Sequence, residues 1–271
     1  NVLNINASTG TTVQQSTLMY DNDINTKFNG EVQVVNSSMG LLLVGFEQGT
    51  SGFYAGNDIM KIKFDTNSNY RRVQKVHNEA LNIFYNDRNY GTKQWKGHTA
   101  VSFGSSSKYV YVLGGEYMRR TNNQSNFETK RNTNLQQIRL KTSNTSYTTT
   151  SKTGVGTMDV GNSQKTMYVT MVAIDGTNLS FASGADYNKR LYAFGGASGV
   201  NETIKYCDID SYEQVGGWVE CTLDITGENW PTGWSTTQRV PVGVYNGWII
   251  FFKPGDTDDN NRGVFGLDTT V

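Results

Sequence analysis

Four short apolar runs punctuate the chain: Leu41-Leu42-Leu43-Val44, Tyr109-Val110-Tyr111-Val112-Leu113, Leu191-Tyr192-Ala193-Phe194 and Trp248-Ile249-Ile250-Phe251-Phe252. Runs of this length, rich in aliphatic and aromatic side chains and followed closely by glycine, predict buried β-strands rather than helices. The second ends in Gly114-Gly115 and the third in Gly195-Gly196, where the chain can turn sharply and admit a neighbouring backbone. After each run comes a second landmark: Ile62-Lys63-Phe64-Asp65-Thr66, Ile138-Arg139-Leu140-Lys141-Thr142, Cys207-Asp208-Ile209-Asp210-Ser211 and Phe265-Gly266-Leu267-Asp268-Thr269. Each predicts a further strand that ends in a turn. Two stretches ahead of the apolar runs, Gly97-His98-Thr99-Ala100-Val101 and Arg239-Val240-Pro241-Val242-Gly243-Val244, have the small and β-branched residues of strands crowded near an axis.

The recurrence predicts four units in an all-β chain, and 271 residues are an ordinary length for a single domain spanning 1–271. The order of an innermost strand, an apolar strand ending in Gly-Gly, a third strand and a tryptophan-bearing outer strand resembles the kelch repeat. The third unit carries the resemblance best, with Gly195-Gly196 followed by Tyr206 and Trp218. The first and fourth units lack the glycine doublet, so about half of the chain shows the likeness clearly. The resemblance implies a kelch-like β-propeller of four blades, or five if segments 78–96 or 150–165 hold extra strands. The spare β-like segments 1–6 and 11–19 predict ring closure, with an N-terminal strand completing the C-terminal blade and removing an open edge.

Charge and composition narrow the function. Twenty-four basic and 24 acidic residues cancel, which removes the broad positive field that draws proteins onto nucleic acid or anionic membranes. No apolar run is long enough to cross a bilayer as a helix. With only 3 prolines and an abundance of Asn, Ser and Thr, the chain fits short strands joined by polar loops. His77 and His98 are the only histidines, which leaves little room for histidine-based metal or acid–base chemistry. The kelch resemblance implies a structural, hydrogen-bonding role for His98. Copper radical oxidases of the galactose oxidase type share kelch-like folds, but their metal chemistry needs more than these histidines and cysteines provide.

Several residues are candidates for a site. Trp230 and Trp234, in Trp230-Pro231-Thr232-Gly233-Trp234, and Tyr90 with Trp95 in the equivalent place of an earlier unit, put large aromatics just before inner strands. Exposed in loops, they would stack on sugar rings or anchor a protein; packed between blades, they would be wedges. Asp256, Asp258 and Asn260 space oxygen ligands as calcium loops do, although Asn261 stands where such loops carry glycine. A solvated polar turn is the commoner reading of such a segment, so no cofactor is expected, with calcium as the alternative. Acids such as Asp175, Glu202 and Asp208 would serve a glycan-processing hydrolase only if two of them converged.

Cys207 and Cys221 flank a turn-rich segment centred near Gln214, so a hairpin folded there would set them opposite each other at a separation a disulfide can span. Two reduced thiols are the other reading. A bridge would imply an oxidising compartment. Together these features lead to the expectation of a non-enzymatic, extracellular or surface-exposed recognition module that binds a glycan or a protein partner through propeller loops. The alternatives are a structural subunit of a surface assembly such as a virion, tail fibre or filament, built from copies of itself or with other subunits, and the hydrolase.

Overall fold

The computed structural model describes residues 2–5, 13–16, 18–20, 33–38, 40–46, 58–64, 71–75, 92–120, 127–131, 135–140, 167–175, 187–195, 204–221, 239–253 and 263–269. Among these every regular element is a strand, so the chain is all-β, and the strands form several antiparallel sheets. None of the described residues forms a helix long and apolar enough to cross a membrane.

A hairpin of β1 (Val2–Ile5) and β2 (Val13–Ser16) stands apart from the other sheets. The first large sheet has the order β3-β7-β6-β5-β4, from β3 (Leu18–Tyr20), β4 (Gln33–Ser37), β5 (Gly40–Phe46), β6 (Asp58–Phe64) and β7 (Arg71–Lys75). The second is built on β8 (Thr92–Val101) and β9 (Tyr109–Arg120), with β10 (Phe127–Arg131) and β11 (Leu135–Arg139) both beside β9. The third runs β12 (Val169–Asp175), β13 (Tyr187–Gly195), β14 (Lys205–Asp210) and β15 (Val219–Glu220) in chain order. The fourth is β16 (Val242–Tyr245), β17 (Trp248–Lys253) and β18 (Gly263–Asp268). The four apolar runs are thus β5, β9, β13 and β17, and the second landmarks fall in or at the ends of β6, β11, β14 and β18.

Two expectations need correction. The N-terminal strands do not complete the last sheet: β1 pairs with β2, and β3 lies parallel to β7 at the edge of the first sheet. A hairpin between near neighbours closes a far shorter loop than a pairing across the whole chain, and so loses less chain entropy. Among the described residues no strand pairing joins the fourth sheet to the first. The doublet Gly114-Gly115 also does not end its strand. Both glycines have positive φ, 72° and 91°, and they lie where one edge of β9 changes partner. Up to Leu113 that edge pairs with β11, and from Glu116 onward with β10, while β8 follows the other edge. Gly195, with φ of 73°, does end β13.

The third sheet is the middle of the packing because both of its faces are apolar. Val169, Met171, Leu191, Ala193, Cys207 and Ile209 join Phe103, Tyr111, Leu113 and Leu135 in a core shared with the second sheet. The alternate positions Val172, Ile174, Tyr192, Phe194 and Ile204 join Val240, Ile249 and Phe251 in a core shared with the fourth. Strand side chains alternate between faces, so the unbroken apolar run 191–194 serves both cores at once. Phe194 and Phe251 meet with ring centroids 5.1 Å apart, and Phe251 stacks on Phe265 at 5.5 Å.

Candidate functional site

The leading strands of successive sheets are joined by polar contacts. His98 on β8 donates from Nε2 to the Val44 carbonyl of the first sheet (3.3 Å), and the Ser102 hydroxyl donates to the Asn36 carbonyl. Tyr168, just ahead of β12, donates its N–H to the Gly97 carbonyl (2.8 Å). The Thr170 hydroxyl donates to the Val240 carbonyl and accepts from the Val240 N–H, at 3.1 and 3.0 Å. Arg239, at the approach to β16, reaches past the third sheet and donates to the His98 carbonyl of the second. Its guanidinium also stands 5.9 Å from the centre of the Tyr168 ring. Burial and, secondarily, the charge of Arg239 hold the His98 imidazole down to a pKa of about 3, so it is neutral at pH 7. His98 is thus a buried, neutral hydrogen-bonding group between β8 and the first sheet.

A second polar group ties the turn after β14 to the second sheet. The Tyr111 hydroxyl donates to Glu213 Oε2 (3.2 Å), and Gln137 Nε2 donates both to that hydroxyl (3.2 Å) and to the Glu213 carbonyl (2.9 Å). Lys189 completes the group as an ion pair with Glu213. The turn itself is held by Asp210, whose Oδ1 accepts from the N–H groups of Tyr212 (2.9 Å) and Gln214 (2.7 Å). Burial, above all, raises the Tyr111 phenol, so it stays protonated as a donor.

The hairpin after β14 is not centred on Gln214. Its register pairs Lys205 with Glu220 and Tyr206 with Val219, three positions away from the one that would set the cysteines opposite each other. An odd displacement also reverses faces. Cys207 accordingly lies in the core with the second sheet, Cys221 packs against the core with the fourth, and both are free thiols. The predicted disulfide is therefore corrected, and its implication of an oxidising compartment goes with it. Burial pushes both thiols up, Cys221 to about 11. A thiol-reactive dye should find two groups in the unfolded, unreduced protein and label Cys207 negligibly in the folded one. A count of zero in the unfolded protein would overturn this assignment.

Trp230, Trp234, Tyr90, Asp256, Asp258, Asn260 and Glu202 lie outside the described residues. The backbone places Trp95 within β8, where the pairing with β9 shifts register between Lys93 and Lys96, and not in a loop. Asp175 ends β12, whereas Asp208 is gripped by the Arg190 fork, Nε to Oδ1 at 2.6 Å and Nη2 to Oδ2 at 3.0 Å. Arg190 also lies over the Tyr206 ring, 3.9 Å from its centre. Among the described residues no group of three or more His, Cys, Asp and Glu is placed to hold a metal.

The structure brings forward an aromatic pair that the candidate list lacked. Tyr245 and Trp248 face each other across the tip of the β16–β17 hairpin. Between them Asn246 and Gly247 take φ of 48° and 78°, the left-handed pair that a two-residue turn requires. Tyr245 is 70% exposed and Trp248 44%. The Asn-Gly dipeptide between two aromatics was the signal in the sequence. No family model matches the chain, and no curated protein matches it.

Proposed function

We propose that the chain is a divergent kelch-like propeller of four blades that serves as a non-enzymatic, extracellular recognition module, binding a glycan or protein partner at the loop-bearing ends of the ring. Four sheets that follow one another in chain order, each built on one of the repeated apolar runs, support the blade reading. The observation that carries it furthest is Arg239, which links the entry to the fourth sheet with β8 of the second, as expected of leading strands gathered round one axis. In a closed ring the fourth sheet would turn the face bearing Phe252 and Val264 toward the first sheet's exposed Val34, and the hairpin tips would remain at the ends.

Loops clustered on a rigid β scaffold are where binding residues concentrate. Trp230, Trp234 and Tyr90 belong to this proposal as loop aromatics, and calcium at Asp256, Asp258 and Asn260 as a local brace. The intact chain should bind members of a printed glycan array. A folded, monomeric protein that binds no glycan and no protein would overturn the recognition reading. A stable assembly of copies would favour the structural-subunit alternative. For the ring, cysteines introduced at Val34 and Val264 should be joined within one chain by a short bismaleimide, and failure to link would count against closure.

A further inference from the structure

We infer that the seam between the first and second sheets is an acid-opened latch, with His98 as the group that lets the first sheet part from β8 while the other sheets stay packed. His98 is fully buried, and its ring lies on the first-sheet side of β8, with Nε2 donating to the Val44 carbonyl of β5 at 3.3 Å. Two further hydrogen bonds cross the seam: the Ser102 hydroxyl donates to the Asn36 carbonyl, and the Ser38 N–H donates to the Ser107 carbonyl at 2.9 Å. Asn36 and Ser38 are exposed, so water already reaches this end of the seam. Among the described residues no strand pairing crosses it, and the first sheet can move as a unit without breaking a ladder. The neighbouring seams are held differently. Phe103, Tyr111 and Leu113 share a core with the third sheet, and Phe194 and Phe251 join the third to the fourth. His98 is the only histidine among the described residues, so neither of those seams contains an imidazole.

The groups around the ring set the direction of its response. Arg239, at the approach to the fourth sheet, donates to the His98 carbonyl, and Tyr168, ahead of β12, stands 5.9 Å from that guanidinium. On β9, Gly114 lies opposite His98, and the next charged pair in register is Lys96 with Glu116. The first sheet brings the Val44 carbonyl to the ring. Protonation in the closed seam would place a charge in a dry site beside a fixed cation, and burial first, then Arg239, hold the ring near 3. Once the seam parts, the ring meets water and regains its ordinary value of 6.5. As the pH falls from 7 to 5.5 the open form takes up a proton that the closed form does not, so the opening constant rises roughly eightfold. The closed form is favoured most above pH 6.5 and loses that advantage progressively toward pH 3. Val44 is itself buried, so opening also exposes apolar surface, and acid lowers that cost without removing it. The latch acts at one seam, whether or not the ring is closed.

Amide hydrogen exchange of the intact chain at pH 7 and 5.5, corrected for the intrinsic pH dependence of exchange, tests the latch. The Ser38 N–H reports the seam directly, and the Val112 and Leu191 amides report the buried strands β9 and β13. Protection of Ser38 should fall about eightfold between the two pH values, and at both it should lie well below that of Val112 and Leu191. In His98→Gln, which keeps a side-chain donor but does not titrate, Ser38 protection should be the same at both. Protection of Ser38 equal to that of Val112 and Leu191 would overturn the latch, because the seam would then open only with the whole fold. A parent whose Ser38 protection does not change with pH would overturn it too. The same fall in His98→Gln as in the parent would assign the proton to another group. If His98→Gln fails to fold, the two comparisons within the parent still decide.

Discussion

Acidification from pH 7 to 5.5 should destabilise the fold by about 1 kcal/mol through His98 alone, and by roughly 2–3 kcal/mol by pH 4.5. The folded imidazole titrates near 3, far below its ordinary value of 6.5, because protonation would put a charge in a buried site beside Arg239. Between those two values the unfolded chain binds the extra proton and the folded chain does not. The stabilisation is therefore fully present above pH 6.5, declines as the pH falls below it, and is spent near pH 3. Urea unfolding at half-unit intervals between pH 7 and 5.5 would measure the slope before most carboxylates titrate. His98→Gln should flatten it, and His77→Gln should not. An equal slope in parent and His98→Gln would show that the proton is taken up elsewhere.

Truncating Tyr111 to alanine should cost about 3–5 kcal/mol, the range for removing a large aromatic from a close-packed core. The ring is fully buried, meets Phe103 edge-on at 5.5 Å, and lies in the core between the second and third sheets. Tyr111→Phe separates packing from hydrogen bonding. It keeps the ring but leaves Glu213 without one donor and Gln137 without one acceptor, a loss of roughly 1–2 kcal/mol. Denaturant midpoints at pH 7 would distinguish the two. If Tyr111→Phe matched the parent, the polar group with Glu213 and Gln137 would add nothing to the docking of these sheets.

The strands were the most legible part of the sequence. Apolar runs bounded by turn residues are local signals, and all four proved to be strands. The sequence did not reveal which side of each strand would be covered. Trp248-Ile249-Ile250-Phe251-Phe252 reads as buried throughout, yet Ile249 and Phe251 are enclosed while Trp248 and Phe252 are about half exposed. Burial depends on the neighbouring sheet, which the run does not encode. The cysteine pairing failed for a related reason: a three-position difference in where the hairpin folds sends Cys207 and Cys221 into different cores. The Tyr245–Trp248 tip was legible only in part, since the Asn-Gly turn could be read locally but the indole lying near Gly266 could not.

The partner change at Gly114-Gly115 makes β9 two functional lengths on one strand. Its inner length, up to Leu113, is fixed by core packing and by β11; its outer length, from Glu116 to Arg120, is held by β10 and β8. Variation in the outer ribbon can therefore be absorbed beyond the glycines while Tyr111 and Leu113 keep their places. The doublet works as an expansion joint, letting the periphery of the second sheet change length without disturbing its centre.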